Sequence, residues 1–410
     1  MIHDLSLSAS RNVSRENAPD SPSQPAGCTR RTFLGTTGTL TGAVILAGAL
    51  PRPLRAQLGR TNDAAPPITD PRVKTLVLNG VQAARDAGAA FAEVRLSHTL
   101  IRKIAVGTLD DQQLLHASVN AFVDGAWGFA SSPFWSDDDI VRLARSAVRQ
   151  ARDTAQAQRA LAQPSAHVVP SSPSGARTGH WATPIKQDPL TVHPFEIQDF
   201  LGGLTAQIPH EASKQARERA EAAASAEFIV QERAYGASDN SYVTQRLYRT
   251  GGNLTVSLAV STSKGVTNGA RRLDAITATG CGWELFTEQP LLAAASSAFE
   301  RIREARTVFV SPTIVGRYPV VIDAQSAGLL LSHTIGTLTE ADRALGYGTF
   351  ADEGQGWLVH PAEMLGTLRV GSPQLTVTAN RSEVGGATTV QWDDEGVVPQ
   401  PFSVVDGGVF

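Results

Sequence analysis

The sequence predicts an α+β protein whose sheets are largely antiparallel. Blocks with apolar residues at helical spacing are separated by longer stretches in which apolar and polar residues alternate, a period that only an extended strand can use. Gly (36) and Pro (23) exceed what a helical protein needs and fit many turns. Over 410 residues, 42% hydrophobic and 18% charged, this composition suits two globular domains rather than one. The net charge of −3 gives no electrostatic reason to expect nucleic acid or an anionic membrane as a partner.

The first element is a leader. TRRTFLG places Arg30 and Arg31 just ahead of Phe33 and Leu34, and a weakly apolar stretch rich in Thr and Gly runs on to Pro51. This predicts a twin-arginine export signal over 1–56, with cleavage near Ala56 and a periplasmic or extracellular mature chain. The stretch is shorter and less apolar than the roughly 20 residues of a permanent span, so no membrane association is expected after cleavage. Residues 1–27 make an unusually long polar leader, which is expected if the true start codon lies downstream. Removal of Cys28 would leave Cys281, which cannot form an intrachain disulfide alone.

Residues 72–162 read as an α/β domain built as helix, meander, helix. VKTLVLNGVQAARDAG sets Val73, Leu76, Val77, Val81 and Ala84 on one face, with Gly88 as a stop. Phe91, Val94 and Leu96, then Ile101, Ile104 and Val106, alternate with polar residues and predict two antiparallel strands. A third strand is expected in HASVNAFVDGAWGFASS, with Asp124-Gly125 as a turn. The second helix opens with Ser136 as N-cap and acidic residues in its first turn; Ile140, Leu143, Ala144, Ala147 and Val148 share a face.

Residues 163–227 read as a Pro/Gly-rich linker or arm followed by a mostly helical segment, HPFEIQDFLGGLTAQIPHEASKQARERAEAAASA. His210-Glu211 looks like half of a zinc motif, but Lys214 stands where a second histidine would be needed and would repel a metal. From 228 to 410 short alternating segments with Gly-rich turns predict a larger antiparallel sheet. LLAAASSAFERIREAR adds an amphipathic helix and RYPVVIDAQ a buried strand.

The ordered series AFAEVRL, FVDGAWGFASS, ATGCGWELF, PVVIDAQSAGLLLSHTIGTLTEADRALGY and WDDEGVVPQPFSVVDGGV is similar to the TldD/PmbA family, zinc metallopeptidases also called modulators of DNA gyrase. The resemblance covers residues 72–410. It implies an N-terminal α/β domain and a C-terminal antiparallel, barrel-like domain. Active members of that family are dimers that enclose a cavity and degrade unfolded peptides with zinc as cofactor. By resemblance, this chain forms a homodimer, or a heterodimer with a TldD/PmbA-type subunit.

In that family the zinc helix reads His-Glu-x-x-x-His, followed by x-Glu-x-Asp. Anchored on Glu340 and Asp342, the first metal histidine falls on Ser332, the general-base glutamate on His333 and the second histidine on Thr337; Gly336 and the frame TEADRALGY persist. A neutral hydroxyl binds zinc poorly, and an imidazole at the base position has a different reach and charge. His333 and Glu340 share a helical stripe but lie about 10 Å apart along the axis, too far for one metal unless the helix breaks at Gly336. The expectation is therefore His333 in a vacated cavity and Glu340 and Asp342 bonded to backbone. No cofactor is expected in this chain.

PFSVVDGGVF closes two residues after an Asp-Gly-Gly turn, so the leading strand is expected to lack its return strand and the β domain to be incomplete. Cys281 is expected as a small, partly buried thiol. In WDDEGV, Asp393, Asp394 and Glu395 could hold a cation, but a hard-cation site wants six or more oxygens, so an ordered loop at a cavity wall is the better reading. The functional expectation is an exported, catalytically impaired metallopeptidase homologue. The alternatives are an active zinc peptidase using other ligands, or a non-catalytic subunit paired with an intact relative.

Overall fold

The structure, a computed structural model, describes residues 66–160, 175–213, 218–262, 265–267, 271–288, 296–297, 299–304, 316–336, 339–340 and 361–410. The export leader and Cys28 lie outside them. No helix among the described residues is long and apolar enough to cross a membrane.

Helix α1, Pro71–Asp86, begins where the Asp70 carboxylate accepts from the Arg72 amide at 2.8 Å, with Pro71 in the first turn. It buries Val73, Leu76, Val77, Val81 and Ala84, the face its spacing predicts, and Gly88 leaves it at φ +102°. Strands β1 (Phe91–Ala105), β2 (Thr108–Val123) and β3 (Ala126–Ser132) form the expected meander. Asp124 and Gly125 both take positive φ, 52° and 86°, so the β2–β3 turn is the hairpin turn that an Asp-Gly pair favours. Helix α2, Asp137–Ala160, is capped by Ser136, whose hydroxyl accepts from the Asp139 amide at 3.1 Å and donates to the Asp139 carboxylate at 2.6 Å.

Next come β4 (Thr178–Ala182), α3 (Pro194–Ser213), β5 (Glu218–Ala237), β6 (Tyr242–Thr262), β7 (Gly265–Thr267), β8 (Arg271–Thr279) and α4 (Glu284–Glu288). The large sheet has the order β3-β2-β1-β5-β6-β4, with β7 and β8 also paired to β6. Its pairs are antiparallel except β4 with β6, so the predicted linker contributes a parallel strand at its end. The helical reading of the central segment holds only to Ser213. Glu218–Glu227 is strand, because Ala220, Ala224 and Ala226 alternate with more exposed residues and pair with Leu258, Leu254 and Gly252 of β6. Long-range pairing overrides the helix propensity of an Ala/Glu-rich run.

One face of the sheet carries two apolar clusters. Toward β3, Val94, Leu96, Ala117, Val119 and Ala234 pack under α1 and α2. Toward the other end Ile104, Ala226, Phe228 and Leu254 pack with α3, with Trp283 and Phe286, and with Phe299 and Ile302 of a helical segment at 299–304. A polar band divides them along the strands. Arg246 reaches Asp188 at 3.2 Å and Glu232 at 3.7 Å, Tyr248 donates to Asp188 at 2.8 Å, and His98 stands 3.9 Å from Glu232. Cys281 is the expected partly buried thiol, 2.9 Å from the Thr279 hydroxyl, and burial pushes its pKa up.

The C-terminal region departs from expectation in three ways. Among the described residues the large sheet is open, not barrel-like: closure needs its end strands to exchange hydrogen bonds, and β3 and β4 lie at opposite ends of the strand order. Residues 317–323 of RYPVVIDAQ form no strand and are exposed, with Val320 75% and Val321 fully accessible, because no described strand pairs with them. The leading strand of the last turn is also not alone. After α5 (Ala324–Leu331), a π-helical turn (Ser332–Gly336) and α6 (Pro361–Met364), β9 (Val377–Ala379) pairs antiparallel with β10 (Phe402–Val405). Phe410 then donates its amide to Leu368 at 2.9 Å.

Candidate functional site

The first candidate is the helix at 324–336. Asp323 caps it, its carboxylate accepting from the Ser326 amide at 2.7 Å. Thr334 donates back to the Leu330 carbonyl at 2.7 Å and Thr339 to Ile335 at 2.7 Å, bonds that compete with the backbone ladder around the π-helical turn. Ser332, His333, Gly336 and Glu340 are all exposed, and among the described residues of this stretch Ile335 is buried. His333 is therefore not enclosed in a vacated cavity: the described turn presents it outward. Thr337 and Asp342 lie outside the described residues.

A zinc centre asks for about four nitrogen, sulfur or carboxylate donors converging at 2.0–2.3 Å. This helix offers a hydroxyl at Ser332, one imidazole and one carboxylate on opposite sides of Gly336. Among the described residues no three His, Cys, Asp or Glu gather as a metal group. The described donors of this helix do not make a zinc set.

The second candidate is on the face of the large sheet opposite the helices. The registers Arg95↔Ser118, Arg95↔Tyr235, Ser97↔Arg233 and Arg233↔Gln245 bring the outward positions of β2, β1, β5 and β6 into one polar surface. The segment around WDDEGV docks on it. Gln245 donates to the Trp392 carbonyl at 2.6 Å, and its side-chain oxygen accepts from the amides of Gln391 and Trp392. The Trp392 ring packs with Tyr235 and Val243 and lies over Gly179, where a Cβ would come within 2.9 Å of it. Arg177 donates to the Gly396 carbonyl at 2.6 Å.

The acidic run forms an ordered loop. Asp393 accepts from the amides of Glu395 and Val397 at 2.9 and 2.8 Å, closing the turn on itself. Arg233 reaches Asp394 at 2.8 Å. Burial, followed by nearby Glu93 and Asp393, holds the Glu395 carboxyl above its usual range.

Between loop and sheet lies a cavity of about 310 Å³. Its wall includes Arg95, Ser97, Ser118, Arg233 and Gln245, and Phe129 stands half-exposed beside it. Behind Arg95, buried Glu93 accepts from Arg95, from Asn120 at 2.6 Å and from the Tyr235 hydroxyl at 3.1 Å. Burial and then Glu93 push the Tyr235 pKa far up, so the phenol stays a donor. Sequence reasoning passed over these residues as the polar half of amphipathic strands. The available signal was that Glu93, Arg95, Gln231 and Arg233 put charges and amides where a solvated sheet face commonly carries small polar groups.

Residues 315–410 match the family profile of the PmbA/TldA metallopeptidase C-terminal domain. Over those residues the chain is similar to the C-terminal domain of the TldD/PmbA family. The fold agrees along most of the chain. A protein described as a modulator of DNA gyrase from Bacteroides thetaiotaomicron superposes with a TM-score of 0.59 at 18% identity, covering 83% of this chain and 71% of its own. TldE from Thermococcus kodakarensis gives 0.51 at 14%, covering 81% and 68%. A Thermotoga maritima protein, also described as a modulator of a DNA gyrase, gives 0.51 at 15%, covering 82% and 69%. No curated protein matches the chain. The expected TldD/PmbA resemblance and α+β class thus stand, and the helix carrying Ser332, His333 and Gly336 falls inside the matched domain.

Proposed function

We propose that this chain is a TldD/PmbA-type metallopeptidase homologue without hydrolytic competence, exported through its twin-arginine leader and working as a dimer, either with itself or with an intact TldD-type subunit. The observation that carries the reading is the donor chemistry of the zinc helix. Ser332 and Thr337 supply hydroxyls where the family supplies imidazoles, and His333 takes the place of the general base. The exposure of His333 and Glu340 supports it, since a zinc ligand set is ordinarily drawn together and shielded by the residues around it.

The test is metal analysis of the purified protein together with peptide cleavage with and without chelator. The expected result is substoichiometric zinc and no chelator-sensitive cleavage, with both gained in the triple variant Ser332→His, His333→Glu, Thr337→His. Stoichiometric zinc with cleavage in the unaltered chain would overturn the reading. Export is tested by Arg30→Lys with Arg31→Lys, which should retain the protein in the cytoplasm. Pairing is tested by co-purification from the native host, where a strictly monomeric species would speak against it.

A further inference from the structure

We propose that the cavity between the polar sheet face and the 393–397 loop binds a small ligand through a carboxylate, gripped by Arg95 and Arg233. The site is separate from the zinc helix and does not depend on whether that helix holds metal.

Three observations converge on it. First, Arg95 and Arg233 are diagonal neighbours on adjacent antiparallel strands, because Ser97 pairs with Arg233 and Arg95 with Tyr235. That spacing brings two long side chains within reach of one anion. Second, their donors are not used up. Arg95 spends one terminal nitrogen on Glu93, but its Nε is buried with no acceptor among the described residues. Arg233 donates Nε to Gln231 at 2.9 Å and one terminal nitrogen to Asp394 at 2.8 Å. A buried guanidinium nitrogen without an acceptor is costly, and a planar fork is suited to receive a carboxylate in two parallel bonds.

Third, a carboxylate already sits in this place. Asp394 is 66% exposed at its side chain and reaches in from the loop, so it occupies one of the positions a ligand carboxylate would take and can swing out to solvent when displaced. The local charge favours such an exchange. Burial lowers the Arg233 pKa; Asp394 opposes this, but Arg249, Arg381 and Arg95 crowd the same cation, and the balance stays downward. A second anion relieves that crowding.

The size and walls narrow the ligand. About 310 Å³ is the lower end of small-molecule sites, enough for one amino-acid-sized group rather than a cofactor. Ser97 and Ser118 add hydroxyls, and half-exposed Phe129 offers an apolar contact for the ligand body. The carboxylate can belong to a free small acid or to the C-terminus of a peptide entering end-first.

Calorimetric titration of the full chain with N-acetylphenylalanine, its carboxamide and N-acetyl-Gly-Gly-Phe tests this. The free acid is expected to bind at least about tenfold more tightly than the amide, about 1.4 kcal/mol. Tighter binding of the tripeptide assigns the site to peptide termini, and equal or weaker binding to free acids. Arg233→Gln and Arg95→Gln should each weaken binding by a similar factor. Asp394→Asn, at a side chain that is 66% exposed, should strengthen it by removing the internal competitor. Equal binding of acid and amide, or no binding to either the unaltered or the Asp394→Asn chain at millimolar ligand, overturns the proposal.

Discussion

The Gln245 side-chain amide donates to the backbone carbonyl of Trp392 at 2.6 Å, across 147 residues of sequence, while the oxygen of the same amide accepts from the Gln391 and Trp392 amides at 3.2 and 3.4 Å. One buried side chain on β6 thus stands in for a strand partner to the docked loop. Gln245→Leu should leave the Trp392 carbonyl and amide without partners, at about 1–3 kcal/mol for each buried group. Urea unfolding should show the loss, and tryptophan fluorescence should report release of Trp392 from its packing.

Gly396 takes φ +69°, and a Cβ there would stand 2.6 Å from the Tyr235 ring. Both backbone conformation and space exclude a side chain. Gly396→Ala is expected to destabilise by more than the ~1 kcal/mol of an ordinary left-handed glycine replacement, with the excess relieved in Gly396→Ala combined with Tyr235→Ala. A double-mutant cycle by thermal unfolding checks this.

Ser136→Ala removes the N-cap of α2, where the hydroxyl both accepts from and donates to Asp139. The expected cost is about 1 kcal/mol. Ser136→Asp should recover only part of it, because the new carboxylate would face that of buried Asp139. Chemical denaturation of the two variants side by side gives the measurement.

The His116 imidazole has its pKa lowered, first by partial burial and then by Arg95. Its neutral form is the favoured one in the folded state, so the contribution to stability is present above the unfolded pKa and is lost as pH falls through the folded value. Arg95→Gln removes the repulsion and should raise the His116 pKa toward the ordinary imidazole value. An NMR titration of the ring protons reads the shift; an unchanged midpoint would show that Arg95 does not face His116.

Local patterns were legible in the sequence wherever a few adjacent residues decide the outcome. The buried face of α1, the Ser136 cap and the Asp124-Gly125 turn are of this kind, each fixed within a handful of positions. Glu218–Glu227 was not legible, because Ala and Glu favour a helix in isolation and pairing with a strand some 30 residues away reverses the preference. Tyr318–Ile322 misled in the other sense: an apolar run signals a buried strand only when a partner strand exists. The identities of Ser332, His333 and Thr337 could be read directly, since they stand at fixed spacing in one short segment. The cavity could not, because Arg95, Arg233 and Asp394 come together only through strand registers and a loop docked from the far end of the chain.

Strand β5 is 20 residues long, and at roughly 3.3 Å apiece it is a rod of about 65 Å that runs under both apolar clusters. Strands β1 and β6 accompany it across the polar gap of His98, Glu232 and Arg246. Loosening one cluster is therefore expected to disturb the far half of the same girders, so the two ends are expected to melt together even though water-loving groups keep their interiors apart.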